Sequence, residues 1–200
     1  MSTVKRIESA TPEQRRVIKT AGSDSVERML HEWRRERPQL NASPLGIQGR
    51  VVRVSGHLLR RVDEWLGPLG LSWEAFSLIV TLRRSGKPYE MRPTDILQES
   101  LLTSGAITNR IDRVAKMGLV KRYPDPDDRR GYLVKLTPAG KKLADKAIAR
   151  HFAGVEAALE VLSPAEQDRL AELLSKLLAS LENETQGKAE RMRNGGDCHD

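Results

Sequence analysis

The spacing of apolar and polar residues predicts seven helices and one β-hairpin. Within each predicted helix, apolar residues recur every three or four positions, as they do on a helix with one buried face. Capping residues such as Asp24, Ser72 and Thr137 predict where helices begin, and Pro38 and Gly67 predict where helices end. The predicted helices span about 23–37, 44–66, 73–84, 93–99, 103–117, 138–161 and 164–181, and the strands span 119–123 and 132–136. The fold class is therefore expected to be mainly α with a small β-hairpin.

The stretch 103–136 combines a short helix with a basic hairpin. The helix has an apolar face at spacing i, i+4, i+7, formed by Ile107, Ile111 and Val114. Gly118 is expected to end it, because glycine adopts the left-handed conformation at least cost. The hairpin turns at PDPDDRRG and carries Arg129 and Arg130 at its tip. This order is typical of a winged helix-turn-helix, in which the helix enters the major groove of DNA and the wing contacts the backbone or the minor groove.

The polar face of this helix supplies candidates for contact with DNA. Arg113 can form two hydrogen bonds to guanine, and Asn109 can do the same with adenine. Ser104, Thr108 and Lys116 are better suited to contacts with phosphates, which set the register of the protein on the duplex. We therefore expect Asn109 and Arg113 to read bases and the other three residues to position them.

Three further arginines have expected roles at the edges of this surface. One of Arg129 and Arg130 should enter the minor groove while the other pairs with Asp128, and the sequence does not say which does which. Arg110 lies about 60° from the centre of the buried face. It must find a carboxylate or an anionic ligand, because an unpaired buried guanidinium is costly.

Composition limits the classes of function. The chain has 200 residues, 38% of them hydrophobic, and a net charge of +7, which favours a polyanionic partner. The single cysteine, Cys198, excludes a disulfide framework within one chain, and the four histidines are too scattered for a metal triad. No catalytic or cofactor motif occurs, so neither an enzyme nor a resident metal or cofactor is expected. Without a signal peptide or an apolar run near 18 residues, the protein is expected to be cytoplasmic and free of the membrane.

The ends of the chain and the last helix predict domain organisation. Residues 1–22 and 183–200 are polar and are expected to be disordered. Residues 23–42 form an additional N-terminal helix and linker, 43–71 and 137–182 a helical dimerisation region, and 72–136 the winged helix-turn-helix. The last helix carries a leucine face wider than packing within one chain requires: Leu170, Leu173, Leu174, Leu177, Leu178 and Leu181. A homodimer is the expected way to cover it.

Two runs of sequence resemble a known family. LTSGAITNRIDRVAKMGLVKR, followed by PDPDDRRGYLVKLTPAG, resembles the MarR family of bacterial transcription regulators over about residues 43–182, most specifically in DDRRGYLVKLT. The upstream run HEWRRERPQLNASPLGIQGRV is similar to the urate-responsive branch of that family. That branch includes PecS-type and trans-aconitate-responsive regulators and has an extra N-terminal helix with a tryptophan. The resemblance implies a homodimeric repressor of a near-palindromic operator, released by a small anionic metabolite such as urate or trans-aconitate.

The resemblance also implies a ligand site. Relatives in that branch hold their anionic ligand with an arginine at the position of Arg110 and with the tryptophan that matches Trp33. In these relatives, a further arginine at the position of Arg122 transmits the change caused by the ligand to the surface that reads DNA. Where this chain has Ser77, those relatives have an aspartate that the ligand repels, so this step of their mechanism does not carry over.

Two classes of function remain open at this point. The first is a ligand-responsive, DNA-binding regulator. The second is an interaction module whose winged helix binds a protein partner, and its mark would be DNA affinity without sequence preference.

Overall fold

The computed structural model describes residues 24–99 and 107–194, without the side chains of 185–194. These residues form seven α-helices, three β-strands and a 3-10 turn at Gly67–Leu69. The helices are α1 (Ser25–Glu36), α2 (Ser43–Leu66), α3 (Trp73–Arg84), α4 (Pro93–Glu99), α5 (Ile107–Lys116), α6 (Pro138–Leu159) and α7 (Pro164–Asn194). The strands are β1 (Glu90–Met91), β2 (Val120–Pro124) and β3 (Tyr132–Leu136). The predicted fold class, mainly helical with a small sheet, is confirmed.

The chain divides into two compact units, one up to His57 and the other from Leu58. In the first unit, α1 packs on the beginning of α2 through Val26 and Leu30, which are both buried. Asp24 caps α1 as predicted, accepting hydrogen bonds from the backbone N–H groups of Val26 and Glu27. Gly46 and Gly49 permit the close approach, because a Cβ atom on either would lie 3.1 Å from a side-chain atom of α1.

In the second unit, α3 lies at the centre of the core. Leu78, Ile79 and Leu82 are fully buried on this helix, and α4, α5, α6 and β3 pack around it. Ser72 caps α3, as its place before an apolar segment predicts, because its hydroxyl accepts the N–H of Ala75. Burial in the core therefore fixes the position of α3, the helix against which α5 packs.

A three-stranded antiparallel sheet, in the order β1-β3-β2, forms the wing and its base. The predicted hairpin is confirmed, with Val120 opposite Leu136 and Pro124 opposite Tyr132. The strand β1 was not predicted, because two residues are too few for alternation to be visible. It forms by pairing with β3, a partner more than forty residues later in the chain, as Glu90 pairs with Lys135.

Two apolar stripes expected to be buried are partly open to solvent within one chain. On α2, Ile47, Val51 and Val54 are 64%, 41% and 55% exposed, and only Val62 of this stripe is buried. On α6, Phe152 is 69% exposed. Periodicity identifies the residues that share a face of a helix, but it does not identify what covers that face.

The last helix is longer than predicted. Its expected end near Leu181 and the disordered tail over 183–194 were wrong, because α7 continues to Asn194. The segment is rich in residues with high helix propensity (Glu, Gln, Lys, Ala, Arg and Met) and contains no proline, so it extends a helix that has already formed. The expected disorder of 1–22 and of 195–200 lies outside the described residues.

No single helix in the described segments is long and apolar enough to cross a membrane, although one bent pair of helices would pass by length and composition alone.

Candidate nucleic-acid interface

The helix α5 is anchored by its apolar face and by its C-terminal end. Ile111 and Val114 are almost completely buried against the core. At the end of the helix, Gly118 has a φ of 73°, and its N–H donates to the carbonyl of Ala115. The N–H of Leu119 then donates to the carbonyl of Val114, which completes a Schellman motif. The predicted role of Gly118 is confirmed, and the helix leaves its polar face in solvent.

The residues predicted to contact DNA from α5 lie together on that face. Thr108, Asn109, Arg113 and Lys116 are all exposed. Ser104, the fifth residue predicted for this surface, lies outside the described residues. The four side chains form a strip with two positive charges and two groups that can donate or accept hydrogen bonds, which suits base edges and phosphates. Their individual roles stay predictions.

Arg122 joins this helix to the wing. Its guanidinium group lies 2.6 Å from the carboxylate of Asp112 on α5. It also stacks 4.7 Å from the ring centre of Tyr132 on β3. The arginine that the resemblance singles out as a relay is therefore in contact with both α5 and the wing, and its role as a relay stays a prediction.

The wing tip places two cations in solvent. Arg129 and Arg130 are exposed, and neither forms an ion pair with any residue in the described segments. The expected ion pair of one of them with Asp128 is absent there. The carboxylate of Asp128 instead accepts the backbone N–H of Arg130 at 2.9 Å and shapes the turn. Both arginine side chains are therefore available to an anionic partner.

The base of the wing is stabilised by Arg92, a residue that no local pattern in the sequence identifies. Arg92 lies between β1 and α4, and its Nε donates to Asp125 Oδ2 at 2.5 Å. The hydrogen bond from Arg92 lowers the pKa of Asp125, and that of the Asp127 N–H adds to the effect. In the sequence, Asp125 is one of three aspartates in the turn PDPDDRRG. Only its burial, with 1% of its side chain exposed, sets it apart.

The residues predicted to bind a ligand fall into both compact units. Trp33 belongs to the first unit and is 45% exposed. It borders a groove of about 450 Å³ between α1 and α2, which is mostly apolar but includes three polar side chains, Ser25, Gln48 and Arg53. A shared pocket of Trp33 with Arg110 stays a prediction.

In the second unit, Ser77 is buried on α3 at 7% exposure, and Arg110 is half-buried on α5. Glu74 lies near Arg110. A hydrogen bond from Ser72 and one from its own backbone N–H lower the pKa of Glu74, and the positive charges of Arg110 and Arg113 lower it further. A carboxylate therefore lies within electrostatic reach of Arg110, one of the two kinds of partner that its position on the helix requires. No group of His, Cys, Asp or Glu in the described residues is arranged to hold a metal ion.

The chain is similar to known transcription regulators. Residues 71–132 match the model of the MarR family. The chain is 31% identical over 158 residues to the HTH-type transcriptional regulator PecS of Dickeya dadantii (strain 3937), a match that covers 79% of this chain and 95% of PecS.

Solved structures agree in fold. A mutant of E. coli MarR complexed with operator DNA superposes with a TM-score of 0.60 at 26% identity, covering 73% of this chain and 97% of MarR. Sco3205, a MarR family transcriptional regulator from Streptomyces coelicolor in complex with DNA, superposes with a TM-score of 0.64 at 23% identity, covering 71% of this chain and 89% of Sco3205. Helix α5, strand β2 and the wing tip, which carry the exposed cations, lie within the matched family region, which ends at the first residue of β3. The protein therefore belongs to the MarR family of transcriptional regulators, whose members are DNA-binding transcription factors and not enzymes.

Proposed function

We propose that the protein is a cytoplasmic, homodimeric repressor that binds a near-palindromic operator and is released by a small anionic metabolite such as urate or trans-aconitate. The observation that carries the proposal is the exposed polar strip of α5 beside a wing whose two arginines have no ion-pair partner among the described residues. Arg113 and Asn109 read bases, Thr108, Lys116 and Ser104 contact phosphates, and the wing reaches the neighbouring groove.

The apolar surface of the chain supports the homodimer. On α7, Leu173, Leu177 and Leu181 are 50%, 43% and 52% exposed, and the stripe on α2 is similarly open. Surfaces of this kind are rare on monomers and are usually covered by a partner. A two-fold dimer places two copies of α5 in successive major grooves, about 34–36 Å apart, and this spacing requires a near-palindromic site.

For the effector, we propose an anion that engages Arg110 and Trp33, with Ser77 shaping the site and Arg122 transmitting the change. The contact of Arg122 with both α5 and the wing supports the last step. To shift occupancy of the operator from 99% to 1%, the ligand must favour the DNA-incompetent state by about 10⁴-fold. A weaker preference would give graded release.

The first experiment is fluorescence anisotropy with the duplex that lies upstream of the protein's own gene, at fixed near-physiological salt, with a scrambled duplex as control. We expect tight binding to the first duplex only, and release on titration with urate or trans-aconitate. Equal affinity for both duplexes would contradict the proposal and favour the protein-interaction module. Specific binding that neither anion releases would contradict the proposed effectors alone.

Two substitutions on α5 separate base reading from phosphate contact. Arg113→Ala should reduce discrimination between the operator and a variant with changed bases by about 1–3 kcal/mol, because a bidentate contact to a base is lost. Lys116→Ala is the matched control, since it also removes one charge. It should weaken binding to all sequences alike and reduce the dependence on salt by about one unit of slope. Unchanged discrimination in Arg113→Ala would contradict the assignment.

The effector site is tested by Arg110→Ala. The variant should keep its affinity for the operator and lose the response to the anion, because the guanidinium no longer binds it. Lys121→Ala, which removes an exposed charge from the wing, serves as a control and should retain the response. If Arg110→Ala does not fold, the arginine acts as a structural partner of nearby carboxylates, and the ligand role is wrong.

A further inference from the structure

A buried carboxylate lies at the base of the wing. Asp125, which directly follows β2, has only 1% of its side chain exposed. Its Oδ2 accepts a hydrogen bond from Arg92 Nε at 2.5 Å. Its Oδ1 accepts from Arg92 Nη2 at 3.2 Å and from the backbone N–H of Asp127 at 2.9 Å. Both oxygens of this buried group are therefore satisfied, and one side chain supplies two of the three donors.

The partner, Arg92, is at the same time part of the start of the helix-turn-helix. Its backbone carbonyl accepts the N–H groups of Asp95 and Ile96, so it begins the first turn of α4. Its guanidinium also reaches Asp127 at 3.1 Å. One residue therefore holds α4 through its backbone and the wing through its side chain, although 33 positions separate it from Asp125.

From Asp125, hydrogen bonds continue to the tip of the wing. The N–H of Asp125 donates to the carbonyl of Gly131 at 3.3 Å, which closes the base of the turn. Within the turn, Asp128 accepts the N–H of Arg130 through its side chain and the N–H of Gly131 through its carbonyl. Hydrogen bonds therefore connect Asp125 to the turn that carries Arg129 and Arg130.

The contacts of Arg92 with Asp125 bear on how the wing binds DNA. A protein that grips a duplex at two places gains affinity from the second contact only if the two are held at the right distance and angle. We propose that Arg92 is a positioning residue for DNA binding: by holding Asp125, it directs Arg129 and Arg130 to the duplex that α5 already occupies. The inference rests on the proposed function, because it requires both α5 and the wing to bind DNA.

The test must distinguish this positioning role of Arg92 from a direct contact of its side chain with a DNA phosphate. Its side chain is 45% exposed, which leaves it accessible to a phosphate. Asp125→Asn distinguishes the two roles, because it removes the charged partner and keeps the cation. A positioning role predicts that Asp125→Asn weakens binding, whereas a direct contact predicts binding at least as tight as in the unaltered protein.

The experiment is a double-mutant cycle in the full-length protein, measured by anisotropy on the duplex upstream of its own gene. The variants are Arg92→Gln, Asp125→Asn and Arg129→Ala/Arg130→Ala, with Arg92→Gln also combined with the wing substitutions. Arg169→Gln is the matched control, because it removes one guanidinium from an exposed ion pair on α7. Thermal unfolding of each variant sets a temperature for the binding measurements at which all variants are folded.

We expect Arg92→Gln and Asp125→Asn each to weaken binding about tenfold, within the range of coupling found in ion-pair networks. Arg92→Lys should recover part of the loss, because an ammonium group still reaches Asp125 with one donor. The wing substitutions should weaken binding much less in the Arg92→Gln background than in the unaltered protein. The slope of log affinity against log salt should fall in Asp125→Asn as it does in the wing variant, a change that loss of stability alone does not produce.

Two results would overturn the inference while leaving the proposed function intact. One is an Asp125→Asn variant that binds like the unaltered protein while Arg92→Gln binds weakly, which assigns Arg92 a direct phosphate contact. The other is full additivity of Arg92→Gln with the wing substitutions. If the unaltered protein does not prefer its own duplex over a scrambled one, the proposed function fails and the inference fails with it.

Discussion

Gly140 is the position at which a single methyl group should have the largest effect on this fold. It lies in the first turn of α6, where its backbone passes against the chain that leaves α5. A Cβ atom at this position would lie 1.9 Å from the carbonyl oxygen of Leu119 and 2.8 Å from its carbonyl carbon. These are backbone atoms, so no side chain can rotate to make room. The helix itself must move.

Moving the helix disrupts the cap that begins it. The hydroxyl of Thr137 accepts the N–H of Gly140 at 2.9 Å and donates to the carbonyl of Gly118 at 2.8 Å. The N–H of Thr137 donates to the carbonyl of Leu119 at 3.0 Å. One capping residue therefore ties the start of α6 to the end of α5, and a shift at Gly140 strains both helices at once.

Gly140→Ala is expected to lower the free energy of unfolding, whereas replacing glycine by alanine in a helix usually raises it. Replacing glycine by alanine within a helix ordinarily stabilises it by up to about 1 kcal/mol. Here overpacking destabilises by about 1–3 kcal/mol, and damage to the cap adds about 1 kcal/mol. The net effect of Gly140→Ala is therefore a loss of about 1–3 kcal/mol in the free energy of unfolding.

The assay is urea unfolding followed by circular dichroism, with equal protein concentrations because the stability of the proposed dimer would depend on concentration. With a slope of about 2 kcal/mol/M, the midpoint should fall by about 0.5–1.5 M. Gly67→Ala is the control, because a Cβ atom there meets nothing within 4 Å. Its midpoint should stay the same or rise. A midpoint for Gly140→Ala at or above that of the unaltered protein would refute the reasoning.

Three further predictions concern α6 and α7. Burial lowers the pKa of His151, so the folded state binds fewer protons than the unfolded state below pH about 6.5. The free energy of unfolding should therefore be fully retained above that pH and fall on acidification, and His151→Phe should flatten this part of the profile measured by urea unfolding at pH 7.5 and 5.5. Gly154→Ala would place a Cβ atom 2.4 Å from the Trp65 ring, so tryptophan emission should change and stability should fall by about 1–3 kcal/mol; an unchanged spectrum would contradict this contact. Leu177→Glu should shift the protein from dimer to monomer in sedimentation velocity, because it places a charge on the proposed interface, whereas Glu172→Gln should not.

The elements of this protein follow from its sequence, since helices and hairpins depend on neighbours in the chain. The apolar spacing of α5, the caps at Asp24, Ser72 and Thr137, and the turn residues of the wing all act over a few positions. These signals predicted the bounds of α3, α4 and β3, and they predicted the exposed face on which Asn109 and Arg113 lie. The polar end of α7 predicts disorder by its composition, whereas its residues favour a helix once the preceding turns have formed, so the helix continues to Asn194.

Contacts between distant parts of the chain needed the tertiary structure. Nothing near Asp125 in the sequence distinguishes it from Asp127 or Asp128, and its burial beside Arg92 arises only when β1 pairs with β3. Gly140 is required by the carbonyl of Leu119, twenty-one positions away. Periodicity groups the residues on one face of a helix, whereas the surface that meets this face depends on how all elements pack together. Local sequence therefore determined which elements form, and packing decided which residues hold the DNA-facing surface in place.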